Sequence, residues 1–204
     1  MEIKRIVGGM LFTNTYILFS QREITVIDPG ADIEKIEREL PEKRVDRVLL
    51  THGHLDHIYF TDKLRNEYGA KVYIHEEDRS FLSDFALNSP GDFPKGLEKR
   101  EYVADGTFSD GDIIAVGDTF CEVIHTPGHT PGGVCFYFER EKALFSGDTV
   151  FKGTYGRTDF PSASEEVILR SIKKLFSKIP DDVRIYPGHG LSTVAAAEKP
   201  LYGF

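Results

Sequence analysis

The stretch THGHLDH at residues 51–57 gathers three of the chain's seven histidines and an aspartate into seven positions. No apolar core needs that density of ionisable side chains. RVLLT (47–51) reads as a buried strand running into it, so His52 and His54 continue an extended chain in which alternate side chains point the same way. Those two can share one ion. Asp56 and His57 follow where the chain turns into a helix, which takes them off that line and lets them hold a second ion nearby. The other candidate ligands each lie in a glycine-punctuated loop directly after a strand: His129 in TPGHT, Asp148 in SGDT and His189 in PGHG. An isolated histidine is ordinarily a hydrogen-bonded loop residue; the clustering argues for ligation.

Outward from this stretch, MLFTNTYILF (10–19) and EITVID (23–28) read as two strands joined by a polar turn. Asp32 is placed to cap a short helix with Ile33, Ile36 and Leu40 on its apolar face, stopped by Pro41. Phe60, Leu64 and Tyr68 recur every four residues and mark a helix that Gly69 can end in a left-handed conformation. KVYIH (71–75) is the next strand. Residues 84–100, rich in Gly, Pro and Asp without a period, read as a surface loop or lid. Strand-like runs follow at 112–116, 119–125, 133–138 and 143–148. A capping box at Ser162 and Glu165 opens a helix with Ile168, Ile172, Leu175, Phe176 and Ile179 on one face, ended by Pro180. RIYPGHG (184–190) is a last strand leading into His189. Strand runs followed by helices, twice over, predict two packed sheets with helices outside rather than one alternating βαβ sheet. The expected class is α+β, with residues 1–204 as a single domain.

Composition narrows the function. With 204 residues, 40% hydrophobic and 28% charged, the chain has the make-up of a globular protein with a substantial core. No apolar run reaches membrane-span length, and MEIKRIVGG lacks the apolar stretch of a secretory signal, so the expected location is cytoplasmic, with no membrane partner. The net charge of −8 without a basic cluster disfavours nucleic acid. Cys121 and Cys135 lie in apolar strand sequence and read as buried reduced thiols. The sequence carries no signature of a particular oligomeric state.

HGHLDH followed in order by TPGHT, SGDT and PGHG resembles the metallo-β-lactamase superfamily and, within it, the glyoxalase II-like hydrolases. The resemblance implies a four-layer αβ/βα sandwich with a dinuclear site at one edge of two mixed sheets. It assigns metal one to His52, His54 and His129, metal two to Asp56, His57 and His189, and makes Asp148 the bridge. Two divalent ions are implied, zinc first, with iron and manganese also suited to histidine and carboxylate ligands. Asp56, Asp148 and a bridging hydroxide would offset three of the four metal charges, leaving about +1 to draw a small anionic acyl-thiol substrate. Asp56 would orient the hydroxide and pass its proton to the leaving group. A carboxylate at position 148, where two-zinc lactamases carry cysteine, resembles the thioester, lactone and phosphoester hydrolases instead.

In the segment DTVFKGTYGRTDF (148–160), Arg157 matches a glyoxalase II lysine that binds a carboxylate of glutathione, and Tyr155 and Arg157 are the expected substrate contacts. The other reading of Arg157 is a loop arginine paired with Asp159. The chain is expected to lack the helical C-terminal domain of full-length glyoxalase II; it has Leu191 where that family has a tyrosine, and replaces the glycine after the Asp-His pair in DHIYF. It therefore resembles the short single-domain glyoxalase II-like proteins. Around GRTDF it also resembles the persulfide dioxygenases, which use one iron held by two histidines and an aspartate. The expected activity is hydrolysis of a thioester such as S-lactoylglutathione, the alternative a mononuclear-iron persulfide dioxygenase. His75 and His125, near strand ends and outside the ligand set, are expected to play supporting roles.

Overall fold

In a computed structural model of the chain, the described residues are 1–21, 23–41, 44–90 and 100–204. The first sheet has the order β1-β2-β3-β4-β5-β6: Glu2–Gly8, Thr13–Ser20, Glu23–Ile27, Arg47–Leu49, Lys71–His75 and Gly106–Phe108. Its first three strands form an antiparallel meander and β3 to β6 run parallel. Helices α1 (Ile33–Glu39), α2 (Leu55–Ile58) and α3 (Thr61–Tyr68) lie in the connections between parallel strands, as crossovers require. The second sheet has the order β12-β11-β10-β9-β8-β7, from Thr193–Val194, Arg184–Pro187, Ala143–Gly147, Val134–Phe138, Thr119–His125 and Ile113–Val116. Helix α5 (Glu165–Lys178) connects β10 to its parallel neighbour β11. Short elements complete the chain: a 3-10 turn at Glu76–Leu82, α4 (Phe85–Asn88) and α6 (Ala195–Glu198).

Period-two alternation explains the layering. Along β2, Tyr16 and Leu18 enter the core between the sheets, while Ile17 faces the helices outside. Along β9, Val134, Phe136 and Phe138 join the inter-sheet core and Cys135 and Tyr137 face α5, whose Ile168, Ile172, Leu175 and Phe176 close the third apolar layer. Because both faces of each sheet are covered, the central strands read as unbroken apolar runs. The two mixed sheets, with helices on their outer faces, realise the α+β sandwich expected from the sequence.

The sequence reading needs several corrections. MEIKRIVGG forms β1, paired with β2 from Glu2↔Phe19 to Gly8↔Thr13; the strand read as 10–19 begins at Thr13, because residues 9–12 make the turn, with Gly9 and Phe12 at positive φ. The short strands β6 and β12 carry too few residues to show a period. Asp32 precedes α1 without capping it through its side chain; its carboxylate accepts instead from the Gly9 amide at 3.2 Å and pairs with Lys35 at 2.7 Å. The capping box at Ser162 does not form: Ser164 caps α5 by accepting from the Val167 amide, and Glu165 accepts from the Tyr155 hydroxyl at 2.6 Å. Within the segment read as a loop, residues 85–88 form α4, and residues 91–99 lie outside the described residues. Gly69 does end α3 in the left-handed region, at φ 76°. Cys121 and Cys135 are buried free thiols, pushed up by burial to about 12 and about 11. Among the described residues no helix is long and apolar enough to cross a membrane.

Candidate metal centre

Strand ends bring the candidate ligands to one edge of the sandwich. β4 delivers His52 and His54; His54 then precedes α2, and its carbonyl accepts from the amides of His57 and Ile58, which sets Asp56 and His57 on a single helical turn. The loops after β8, β10 and β11 deliver His129, Asp148 and His189. All seven sequence-predicted metal residues converge here; five are buried, and Asp148 and His189 are half-buried.

They form two donor groups. His52, His54 and His129 offer nitrogens within 4.8 Å of one another, with His54 Nδ1 and His129 Nε2 2.9 Å apart. In the second group, His57 Nε2 lies 3.4 Å from Asp56 Oδ2 and 3.2 Å from His189 Nε2, and His189 Nε2 lies 3.2 Å from Asp56 Oδ2. Asp148 faces both: Oδ1 is 3.3 Å from His57 Nε2, and Oδ2 is 3.5 Å from both His129 Nε2 and His189 Nε2. Tetrahedral ligands about 2.0–2.1 Å from an ion stand about 3.3–3.4 Å apart, so these separations suit ligation. The hydrogen bonding fits as well. His52 Nε2 and Asp148 Oδ1 are buried with no hydrogen-bond partner, a condition that costs about 1–3 kcal/mol per atom unless something such as a cation satisfies it.

Electrostatics separate the groups. Burial, then the neighbouring histidines, pushes His52 well below its ordinary value and His54 down to about 3, so both stay neutral and ready to ligate. Burial works against charge on His57, yet Asp56, Asp148 and Asp28 raise it well above the usual range. Burial likewise opposes ionisation of Asp148, but His189 and His57 hold it well below the carboxylate range. The second group is thus a dense set of carboxylates balanced by histidine protons, which a cation would displace.

Several residues that support this centre carry no signal in the ligand motifs. Asp28 accepts from the Thr51 amide at 2.8 Å, the Thr51 hydroxyl at 2.6 Å and His57 Nδ1 at 2.9 Å. Asp28, His52 and His57 also lie close enough to suggest a third ion site, but with both Asp28 oxygens occupied we read Asp28 as the group that orients His57. The DPG at 28–30, a carboxylate at a strand end before glycine, was its sequence signal. Thr13 donates to Asp56 Oδ2 at 2.9 Å, and Asn14 donates to the carbonyls of Pro187 and Gly190, on either side of His189. Both lie in a stretch read only as strand.

A cavity of about 190 Å³ opens on both groups, with Leu11, Pro90, Phe151, Arg157 and Phe160 among its walls. Arg157 lines the cavity and pairs with Asp159 at 2.9 and 2.8 Å, with its guanidinium 4.7 Å from the Phe160 ring centre. Its carbonyl accepts from His129 Nδ1 at 2.7 Å. Tyr155 is not among the lining residues; its ring faces Tyr202 at 6.4 Å. His75 and His125 stack on each other at 4.1 Å and belong to neither donor group.

A family model described as metallo-beta-lactamase superfamily matches residues 8–189. The chain belongs to the metallo-β-lactamase superfamily. Within it, the probable metallo-hydrolase YqgX of Bacillus subtilis (strain 168) is 32% identical over 201 residues, covering 98% of this chain and 95% of that protein. The hydroxyacylglutathione hydrolase GloC of Haemophilus influenzae is 33% identical over 183 residues, covering 88% and 85%. Among solved structures, BLEG-1, a B3 metallo-β-lactamase, superposes with a TM-score of 0.90 at 32% identity over 100% of both chains. TTHA1623 in a di-iron-bound form gives 0.78 at 30% identity over 96% of each. This superfamily member is therefore similar to metallo-hydrolases and carries a metal-competent His/Asp cluster.

Proposed function

We propose that this superfamily member is a dinuclear-metal hydrolase of small anionic acyl thioesters, with S-lactoylglutathione as the first candidate. The observation that carries the reading is Asp148, which faces both donor groups at the floor of one cavity. The likeness to GloC supports the thioester, and the likeness to the di-iron TTHA1623 supports two ions. His52, His54 and His129 would hold one ion, Asp56, His57 and His189 the other, with Asp148 between them. Bound zinc, iron or manganese supplies Lewis acidity toward the substrate carbonyl and acidifies water.

The remaining work falls to the chain's own side chains. Asp56, anchored by the Thr13 hydroxyl, accepts a proton from the attacking water and returns it to the departing sulfur. The water oxygen bonds to the carbonyl carbon as the C–S bond breaks, giving a carboxylic acid and a thiol. His129, oriented by the Arg157 carbonyl, ties its ligand loop to the segment that carries Arg157. The guanidinium of Arg157, on the cavity wall, meets a substrate carboxylate. Phe151 and Phe160 exclude water around the reacting centre.

A β-lactam is the second reading, favoured by the close superposition on BLEG-1. The test follows free-thiol release by metal-loaded protein on S-lactoylglutathione and other thioesters, with a chromogenic β-lactam and oxygen uptake on a persulfide in parallel. Thioester turnover should dominate and fall at least about 100-fold in Asp148→Ala and His54→Ala. Unchanged turnover in those variants would remove the metal assignment, and oxygen uptake with one iron per chain would replace the hydrolase with a persulfide dioxygenase.

A further inference from the structure

Asp78 lies in the 3-10 turn Glu76–Leu82 and belongs to neither donor group, yet it is fully buried. A buried carboxylate persists only where donors satisfy it. Oδ2 accepts from the Gly53 amide at 2.9 Å and the Thr130 hydroxyl at 2.7 Å, and Oδ1 accepts from the Gly132 amide at 2.6 Å. Gly53 sits between His52 and His54, and Thr130 follows His129. One side chain therefore ties together the two loops that build the three-histidine group. None of its bonds reaches Asp56, His57, Asp148 or His189.

Close packing supports the same connection. A Cβ at Gly132 would stand 2.5 Å from the Asp78 amide nitrogen and 2.8 Å from its Cβ, and a Cβ at Gly53 would overlap Phe81 on the same turn. Both loops thus press on the turn with no side chain between. A second strap runs beside the first: His75 Nδ1 accepts from the Glu77 amide at 3.3 Å, its ring stacks on His125, and His125 Nε2 donates to the Pro131 carbonyl at 2.8 Å.

We infer that Asp78 is a positioning residue that fixes the His52–His54 loop against His129, and so sets the affinity of the three-histidine group for its ion while leaving the Asp56–His57–His189 group alone. This rests on the two-ion reading above. Outer partners of metal ligands commonly contribute about 10–100-fold in affinity, and here one carboxylate supports two loops.

The test titrates zinc into metal-free full-length chain against a competing chelator, resolving two affinities in the wild type, Asp78→Asn, Thr130→Val and His54→Ala. Cobalt absorption reports the coordination of the three-histidine group, and melting curves of the metal-free proteins report the fold. Asp78→Asn should weaken by about 10–100-fold the same equivalent that His54→Ala abolishes, with an altered cobalt band, and leave the other within about 2-fold. Thr130→Val, which removes one donor of three, should weaken that equivalent by about 3–10-fold and decides the matter by the same readings if Asp78→Asn does not fold. Equal weakening of both ions in step with melting temperature, or no weakening, overturns the assignment. A wild type that loses no equivalent on His54→Ala overturns the metal reading itself, whereas a loss with His54→Ala but none with Asp78→Asn or Thr130→Val overturns only the role of Asp78.

Discussion

Asp28→Ala removes a carboxylate that is 2% exposed and satisfies three donors. The Thr51 hydroxyl has a second neighbour in His52 Nδ1, 3.1 Å away, so its loss is partly made good. The Thr51 amide has no such alternative, and the His57 Nδ1 proton loses the acceptor that fixes the ring with Nε2 toward Asp56 and Asp148. Each donor stranded in the interior costs about 1–3 kcal/mol, which puts the substitution, with two of them, at about 2–6 kcal/mol. For a chain of this size 1 kcal/mol moves the melting temperature by about 2–4 °C, so metal-free Asp28→Ala should melt about 4–24 °C below the wild type in differential scanning calorimetry at one scan rate. Asp28→Asn, which keeps an acceptor and the side-chain volume, should lose less. If Asp28→Ala melts within about 2 °C of the wild type, the three bonds do not brace the His57 loop and our account of the support around the centre is wrong.

Three further outcomes follow from the same geometry. Burial, then the adjacent His125, lowers His75 below its ordinary value; the unfolded chain therefore binds a proton that the folded chain refuses, and stability falls as pH drops through the window below about 6.5. His75→Asn, which retains an acceptor for the Glu77 amide, should flatten that decline in urea unfolding between pH 7 and pH 5, and an unchanged slope would refute the assignment. Zinc at about 100 times its dissociation constant should stabilise the metal-free chain by about 2.7 kcal/mol, a rise of about 5–11 °C in melting temperature; no rise with excess zinc, iron or manganese would rule out the centre. Arg157→Ala should raise KM for carboxylate-bearing thioesters by about 3–10-fold with kcat nearly unchanged, a modest effect because the guanidinium is exposed and already paired with Asp159; equal KM values for charged and uncharged thioesters would exclude it from recognition.

The metal ligands were legible because each obeys a local rule, a strand that ends in glycine-punctuated chain, and local rules survive in a single sequence. His129, Asp148 and His189 announced themselves in this way even though nothing in their spacing brings them together. The sheets were legible for the same reason, since β2, β9 and β10 carry unbroken apolar runs. Polar partners were not. Thr13 and Asn14 sit in an ordinary strand, and their roles exist only because β2 passes beside the loop after β11, with Asn14 bonded to carbonyls 173 and 176 positions away. Ser162 and Ser164 are equally good caps on composition; Tyr155, which claims Glu165 from a neighbouring loop, is the contact that separates them, and sequence reasoning had instead sent that tyrosine toward the substrate. The strand at the N-terminus was missed because its burial alternates only weakly.

The junction between β2 and the loop around His189 bears on how the protein is made. Thr13 pairs with His189 across an isolated bridge, and the Asn14 amide donates to the Gly188 carbonyl at 2.7 Å. During synthesis the amino-terminal meander and the three-histidine loops leave the ribosome long before residues 184–190 do, so a nascent chain can assemble one half of the centre while the other half still lacks its last histidine. The second donor group is therefore complete only when β11 docks beside β10 and the loop carrying His189 closes against β2.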